Sequence, residues 1–261
     1  MRRYGRFWRR AALAALLAAG PATARDREAE ELMRRVQLAM PEVPLEMDAE
    51  IRVLDRKGRV KKSVSARVDW TPRDGGRVAR YVLLDAFGGE SEEMTVELGT
   101  GGAGFSYARG YPLEPAEPPN LFEPIAETGI SWMELSFSYF WWPGPRIVGA
   151  ERVASRWDCQ IIELDAPADY PGERPWSKIR LWVAPVYGAV MRGEVWQNGQ
   201  ALKRFEVQSV KKLRQVYMIG SMEVKNLETR QRTRLKVGRM KMVSPDYTEE
   251  ELEELNAPIT W

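Results

Sequence analysis

The sequence predicts a mainly β fold: an unclosed antiparallel barrel of about 10–11 strands with helices covering its open side. Three observations carry this. From residue 45 onward, apolar and polar residues alternate with period two in one segment after another, as in strands with two unlike faces. The segments are separated by short Gly- and Asn-containing turns, which join antiparallel neighbours. Strongly twisted strands in such number curl toward a barrel or half-barrel, and a barrel of more than about eight strands is too wide for its own side chains to fill.

The first element is an address rather than part of the barrel. MRRYGRFWRR is basic, residues 11–19 are apolar, Gly20-Pro21 breaks the run, and Ala22-Thr23-Ala24 supplies small residues. This order predicts a secretory signal peptide over 1–24, cut after Ala24, and one domain over 25–261. Its apolar run would be only roughly 14 Å long as a helix, short of the ~30 Å hydrocarbon core. No Cys stands at the expected cleavage site, so a lipid-anchored product is not expected. The expected location is periplasmic.

An amphipathic helix is predicted over 25–40, with Ala29, Leu32, Met33, Val36 and Met40 at helical spacing and Pro41 as its stop. Residues 45–70 read as two strands around the turn Arg56-Lys57-Gly58, and further strands follow at 80–86, 93–98 and 105–107. The glycines of 99–104 form a turn, not a phosphate-binding loop, because the Gly-Lys-Ser/Thr ending is missing. Residues 111–124, with Pro112, Pro115, Pro118, Pro119 and Pro124, read as a loop. Ser131 followed by Glu134 is a capping-box signature, so a helix is predicted to start there and to run to Pro143-Gly144-Pro145. In such a helix Trp132, Leu135 and Tyr139 share one face, and Met133, Phe137 and Phe140 a neighbouring one. Strands are then predicted at 156–164, 178–184, 189–197, 201–213, 215–225 and 233–243, with an Asn198-Gly199 hairpin signal between two of them. A short acidic helix is expected over 244–255.

Composition removes several chemistries. The chain has 261 residues, no His and a single Cys. That excludes His-based triads, His metal ligands, Cys-cluster metal sites and an intramolecular disulfide. Without the leader, 34 basic face 37 acidic residues, a net −3, so there is no global basic footprint for nucleic acid. No cofactor or metal is expected. The carboxylates Asp158, Glu163, Asp165 and Asp169 are the candidates for acid–base hydrolysis, but their spacing is that of strand and turn surfaces. Cys159 reads as an inert, partly buried thiol. Lys203, Arg204, Lys211, Lys212, Arg214, Arg230, Arg232, Arg234 and Lys236 read as a solvated outer face; a surface for anionic lipid or an acidic partner is the functional alternative.

Aromatic residues give the stronger signal. The expected mature chain keeps nine Trp. The candidate apolar binding set is Trp70, Tyr81, Phe105, Tyr107, Trp132, Leu135, Phe137, Phe140, Trp141, Trp142, Trp182 and Trp196. A small domain rarely needs so many rings merely to close a core. FSYFWWPGP, residues 137–145, is the densest stretch and reads as a lid or rim element.

The segment ISWMELSFSYFWWPGPRIVGAERVASRWDCQIIEL resembles LolA-like periplasmic proteins, the outer-membrane lipoprotein-sorting family, in Glu134-Leu135, Trp142-Pro143 and Cys159-Gln160-Ile161-Ile162. KIRLWVAPVYGAVMRGEVWQNGQALKRFEV and GSMEVKNLETRQRTRLKV resemble that family's later strands and final hairpin. The resemblance covers roughly 45–255, whereas the acidic C-terminal helix and Ile259-Thr260-Trp261 have no match in it. It implies an unclosed barrel with a helical lid that holds acyl chains in an apolar cavity. The expected function is then a non-enzymatic, monomeric carrier of lipoprotein acyl chains or another lipid, emptied by a membrane release partner. The alternative is an envelope sensor that binds a lipoprotein or protein partner.

Overall fold

The computed structural model describes residues 24–167, 176–214 and 216–243. All but Ala24 of the expected leader, the helix expected over 244–255, and Asp169 lie outside the described residues. Helix α1 (Ala24–Leu38) buries Ala29, Leu32, Met33 and Val36, the stripe its spacing predicts. No described helix is long and apolar enough to cross a membrane.

Thirteen strands form one antiparallel sheet. The first six are β1 (Leu45–Leu54), β2 (Val60–Arg73), β3 (Gly76–Leu84), β4 (Glu90–Gly99), β5 (Gly102–Arg109) and β6 (Glu114–Ala116). The rest are β7 (Arg146–Val153), β8 (Trp157–Asp165), β9 (Lys178–Ala184), β10 (Ala189–Gln197), β11 (Gln200–Leu213), β12 (Val216–Asn226) and β13 (Arg232–Met242). The order is β6-β5-β4-β3-β2-β1-β13-β12-β11-β10-β9-β8-β7. Two meanders therefore run in opposite directions from one shared seam, where β1 pairs with β13 and Ile51 faces Leu235. The barrel is unclosed, as the sequence predicts, with β6 and β7 as its two ends.

Two strands exceed the expected count. β6 lies inside the proline-rich stretch read as a loop, and its three residues include Pro115, so no alternation could announce it. β7 follows Pro145 directly, and most of its residues are exposed. An end strand with little to bury has no apolar face to betray it.

Parity decides which side of the sheet each residue takes. Met94, Val96 and Leu98 of β4 share one hydrophobic cluster with Ile179, Leu181 and Val183 of β9. Those strands are far apart in the sheet order, so the sheet must curl to bring them together. Phe205 on β11 completes this side by lying flat over β10: a Cβ on Gly193 would stand 2.1 Å from the ring. The turns are held by side chains. Asp55 accepts from the backbone N–H groups of Lys57 and Arg59 at 2.8 Å, and Asp85 does the same for Phe87 and Gly89. The Asn198-Gly199 hairpin forms with both residues at positive φ, 49° and 78°, the conformation its sequence signals.

Charged residues line the outer side of the sheet in cross-strand pairs. Arg80 bridges Asp69 and Glu93, Arg192 bridges Glu151 and Glu206, and Glu163 collects Arg146, Lys178 and Arg180.

Candidate functional site

Between β6 and β7 the chain leaves the sheet and crosses its concave side. This strap, residues 117–145, carries helix α2 (Trp132–Ser136) and a 3-10 turn over Ser138–Trp141. The capping box forms as the sequence predicts: the Glu134 backbone N–H donates to Ser131 Oγ and the Ser131 backbone N–H to the Glu134 carboxylate. The helix does not continue to Pro143. Phe137 takes a left-handed conformation, φ 54° and ψ 20°, and the Ser138 N–H donates to Ser136 Oγ at 3.3 Å. The serine hydroxyl offers the backbone an alternative to the next helical turn.

Five elements tether the strap. Gln37 of α1 donates to the Phe140 carbonyl at 2.8 Å, and Tyr81 of β3 to the Leu135 carbonyl at 3.1 Å. The Gly129 N–H donates to Thr233 Oγ1 of β13 at 2.9 Å. A side chain at Gly129 would forbid that approach, since its Cβ would stand 2.5 Å from the same oxygen. Lys62 of β2 pairs with Glu127 at 2.9 Å. Lys203 of β11 donates to the Gly129 carbonyl at 3.1 Å and to Glu134 Oε2 at 2.9 Å.

The underside of the strap is packed solid. Trp132, Met133, Leu135, Tyr139 and Phe140 are all buried in the main cluster. Tyr139 meets Phe140 edge-on at 5.0 Å and lies 6.2 Å from Phe205, while Trp132 meets Tyr81 at 6.3 Å. Burial pushes the phenols of Tyr81 and Tyr139 well above their ordinary range, so both remain neutral hydroxyls.

The other side of the strap is open. Where it meets the turn between β4 and β5 and the start of β5 lies a cleft of about 830 Å³. Phe105, Leu121, Trp141, Trp142 and Pro119 give its apolar lining, and Asn120, Ser138 and Glu117 add polar groups.

The sequence-predicted binding set divides four ways. Trp70, Tyr81, Trp132, Leu135 and Phe140 are buried beneath the strap or against it, and Phe137 is partly buried, stacked on Phe140 at 5.6 Å. Trp70 also has a structural task, donating to the Pro41 carbonyl at 2.9 Å. Phe105, Trp141 and Trp142 come together in the cleft. Tyr107 stands beside it in β5 and donates to Glu92 at 2.8 Å; burial and then this carboxylate push its hydroxyl up to about 12. Trp182 and Trp196 are not brought to this side. Leu181, Val183 and Val195 point inward, so their neighbours point outward. There Trp182 donates to Glu151 at 2.9 Å, and Arg180 lies 4.2 Å over Trp196.

Cys159 is buried in a small outer cluster with Val153, Trp182, Ala184 and Met191, and burial raises its thiol. Asp158 pairs with Arg152, and Asp165 and Glu163 both pair with Arg146. Of the basic cluster, Arg204 pairs with Glu194, and Arg232 and Arg234 with Glu223, on the outer side. Lys203 departs from the outer-face reading: it shares inward parity with Phe205 and reaches into the strap. That parity was a readable signal, as was the capping-box acid it meets. Leu121, Pro118 and Pro119 carried no signal beyond that of a loop.

A family model described as "Uncharacterized protein" matches residues 145–254. No curated protein matches the chain. Solved structures do. A DUF1329 family protein from Desulfovibrio piger superposes with a TM-score of 0.70 at 14% identity, over 88% of this chain and 100% of that one. A domain described as a candidate outer membrane lipoprotein-sorting protein, from Vibrio parahaemolyticus, gives 0.70 at 13% identity, over 89% and 100%. A LolA superfamily protein from Nitrosomonas europaea gives 0.60 at 14% identity, over 86% and 99%. The chain therefore shares the LolA-like fold.

Proposed function

We propose that the protein is a periplasmic, non-enzymatic carrier that binds the acyl chains of lipoproteins or another lipid. The observation that carries this reading is the cleft of about 830 Å³ between β5 and the strap, with Phe105, Leu121, Trp141 and Trp142 on its walls. Its size falls within the ~300–1,000 Å³ of small-ligand sites, and such sites are mostly apolar with a few polar groups for orientation. Capture would be driven by removing the chain from water, at about 25 cal/mol per Å² of apolar surface. No bond need be made or broken. Of the carboxylates considered for acid–base chemistry, Asp158, Glu163 and Asp165 lie in ion pairs with arginines, and none of these three lines the cleft. The shared fold supports the reading, since two of the similar structures carry lipoprotein-sorting or LolA names. The leader over 1–24 would deliver the chain to the periplasm, and 25–261 would act as one domain.

The test is native mass spectrometry of protein purified from the periplasm without detergent. A carrier emerges with lipid bound, or takes up a fluorescent acyl probe in stoichiometric amount. Protein that carries no lipid and takes up no probe, yet captures a protein partner in a pull-down, would replace the carrier with an envelope sensor.

A further inference from the structure

Inside the barrel the strap carries a carboxylate onto a cation. Lys203 stands at an inward position of β11, and its side chain is 12% exposed. Both of its acceptors belong to the strap: the Gly129 carbonyl and Glu134 Oε2. The Glu134 side chain is fully buried. Its Oε2 also accepts from the N–H and hydroxyl of Ser131, while its Oε1 has no hydrogen-bond partner among the described residues. The Tyr139 hydroxyl, also buried, has none either. Around these groups the strap fills the concave face with Trp132, Leu135, Tyr139 and Phe140. The arrangement is that of a bound amphiphile: a buried carboxylate on a cation, followed by apolar groups along an apolar wall. A buried ion pair contributes little net stability over an apolar replacement, but it is costly to leave half-broken. If the strap lifts, Lys203 loses both partners together and needs another anion.

We infer that Lys203 is the head-group site for an anionic amphiphile, a carboxylate or phosphate on an acyl chain, and that Glu134 occupies this site as an internal stand-in. This rests on the acyl-carrier reading. As the strap lifts, the ligand exchanges its head group for Glu134 on Lys203, and its chain takes the apolar wall that Trp132, Leu135, Tyr139 and Phe140 cover. An uncharged chain of equal length gains only the apolar contact.

The experiment is a titration of the full chain with dodecanoate, dodecyl phosphate and dodecanol, each below its micelle concentration, followed by calorimetry. The wild type should bind at least one of the anionic amphiphiles about tenfold more tightly than dodecanol, the effect of one charge-assisted hydrogen bond. Whichever anionic probe binds more tightly identifies the head group as carboxylate or phosphate. Lys203→Met should abolish the preference. Glu134→Gln removes the competing charge with little change of shape, and should strengthen anion binding several-fold while leaving dodecanol unchanged. Glu134→Gln keeps the test decisive should Lys203→Met fold poorly. Equal affinity for all three probes in wild type and in Glu134→Gln would overturn the inference and leave acyl binding intact. Binding of none of them would instead overturn the carrier reading.

Discussion

The two sides of the strap use the same residue types for opposite ends. Its underside presents Trp132, Tyr139 and Phe140 to the sheet, where each ring meets another ring and water is excluded. Its other side presents the partly buried Trp141 to a cleft, whose wall also includes Trp142 of the buried cluster. The left-handed residue Phe137 causes this division: it ends the helix and turns the next residues into a 3-10 path. A continuous helix would have spread the six aromatic residues of 132–142 over adjoining faces; the break keeps Tyr139, Phe140 and Trp142 in the main cluster and leaves Trp141 only partly covered at the cleft. A packed ring adds stability and resists change, whereas a ring at an open edge can exchange its neighbours for a ligand's.

The largest expected effect breaks the packed side. Tyr139→Ala or Trp132→Ala removes a fully buried ring and should cost about 3–5 kcal/mol in urea unfolding. A loss below about 1 kcal/mol would mean that the underside is not solid.

The outer face of the sheet supplies a contrast at somewhat smaller size. Burial alone would raise the Glu163 carboxyl, but Lys178, Arg180 and Arg146 overcome it and hold the group at about 2, against an ordinary 4.5. A depressed carboxyl stabilises the fold above its unfolded value and loses that contribution as pH falls toward its folded one. Glu163→Gln should therefore cost up to about 3 kcal/mol at neutral pH. Its deficit against wild type should close between pH 4.5 and about 2. A deficit that is constant across this range would show that the charge contributes nothing. Acyl binding at pH 7 should be unchanged, because Glu163 lies on the other side of the sheet.

Gly129→Ala sharpens the comparison by disturbing the contact between strap and sheet alone. Its Cβ would be driven against Thr233 Oγ1, at about 1–3 kcal/mol for an overpacked site. Hydrogen exchange should rise along the strap and not in β8–β10. A uniform rise across the sheet would mean that the strap is no separate unit.

Trp141→Ala has the smallest effect on stability, about 1 kcal/mol or less by thermal melting, because the ring is only partly covered. It should nonetheless weaken acyl-probe binding roughly tenfold, about the apolar area of one ring. The underside variants behave in reverse, losing stability first.

Much of the sheet was legible because alternation is a local signal. Val216 through Val224 alternate in the sequence and again in burial along β12. β6 and β7 were not legible, since an end strand buries too little to alternate. The site was legible in kind and not in membership. Aromatic abundance pointed to an apolar site, yet Trp182 and Trp196 serve as outer platforms for Arg192 and Arg180. Their inward neighbours Leu181, Val183 and Val195 already fixed that parity. The cleft's other wall, Leu121 with Pro118 and Pro119, belongs to a loop whose position is set by the crossing of the strap, a long-range fact that no local pattern records. The partnership of Glu134 with Lys203 spans a separation of 69 residues, and it needed both the capping box and the register of β11 to be seen.

The account is tested most directly by photolabelling the wild-type protein with a diazirine-bearing fatty acid and mapping the adducts by mass spectrometry. Labels concentrated on Phe105, Leu121, Trp141 and Trp142, and competed away by unlabelled fatty acid, are the predicted result. Labels confined to the outer face around Trp182 and Trp196, or no saturable labelling, would contradict it.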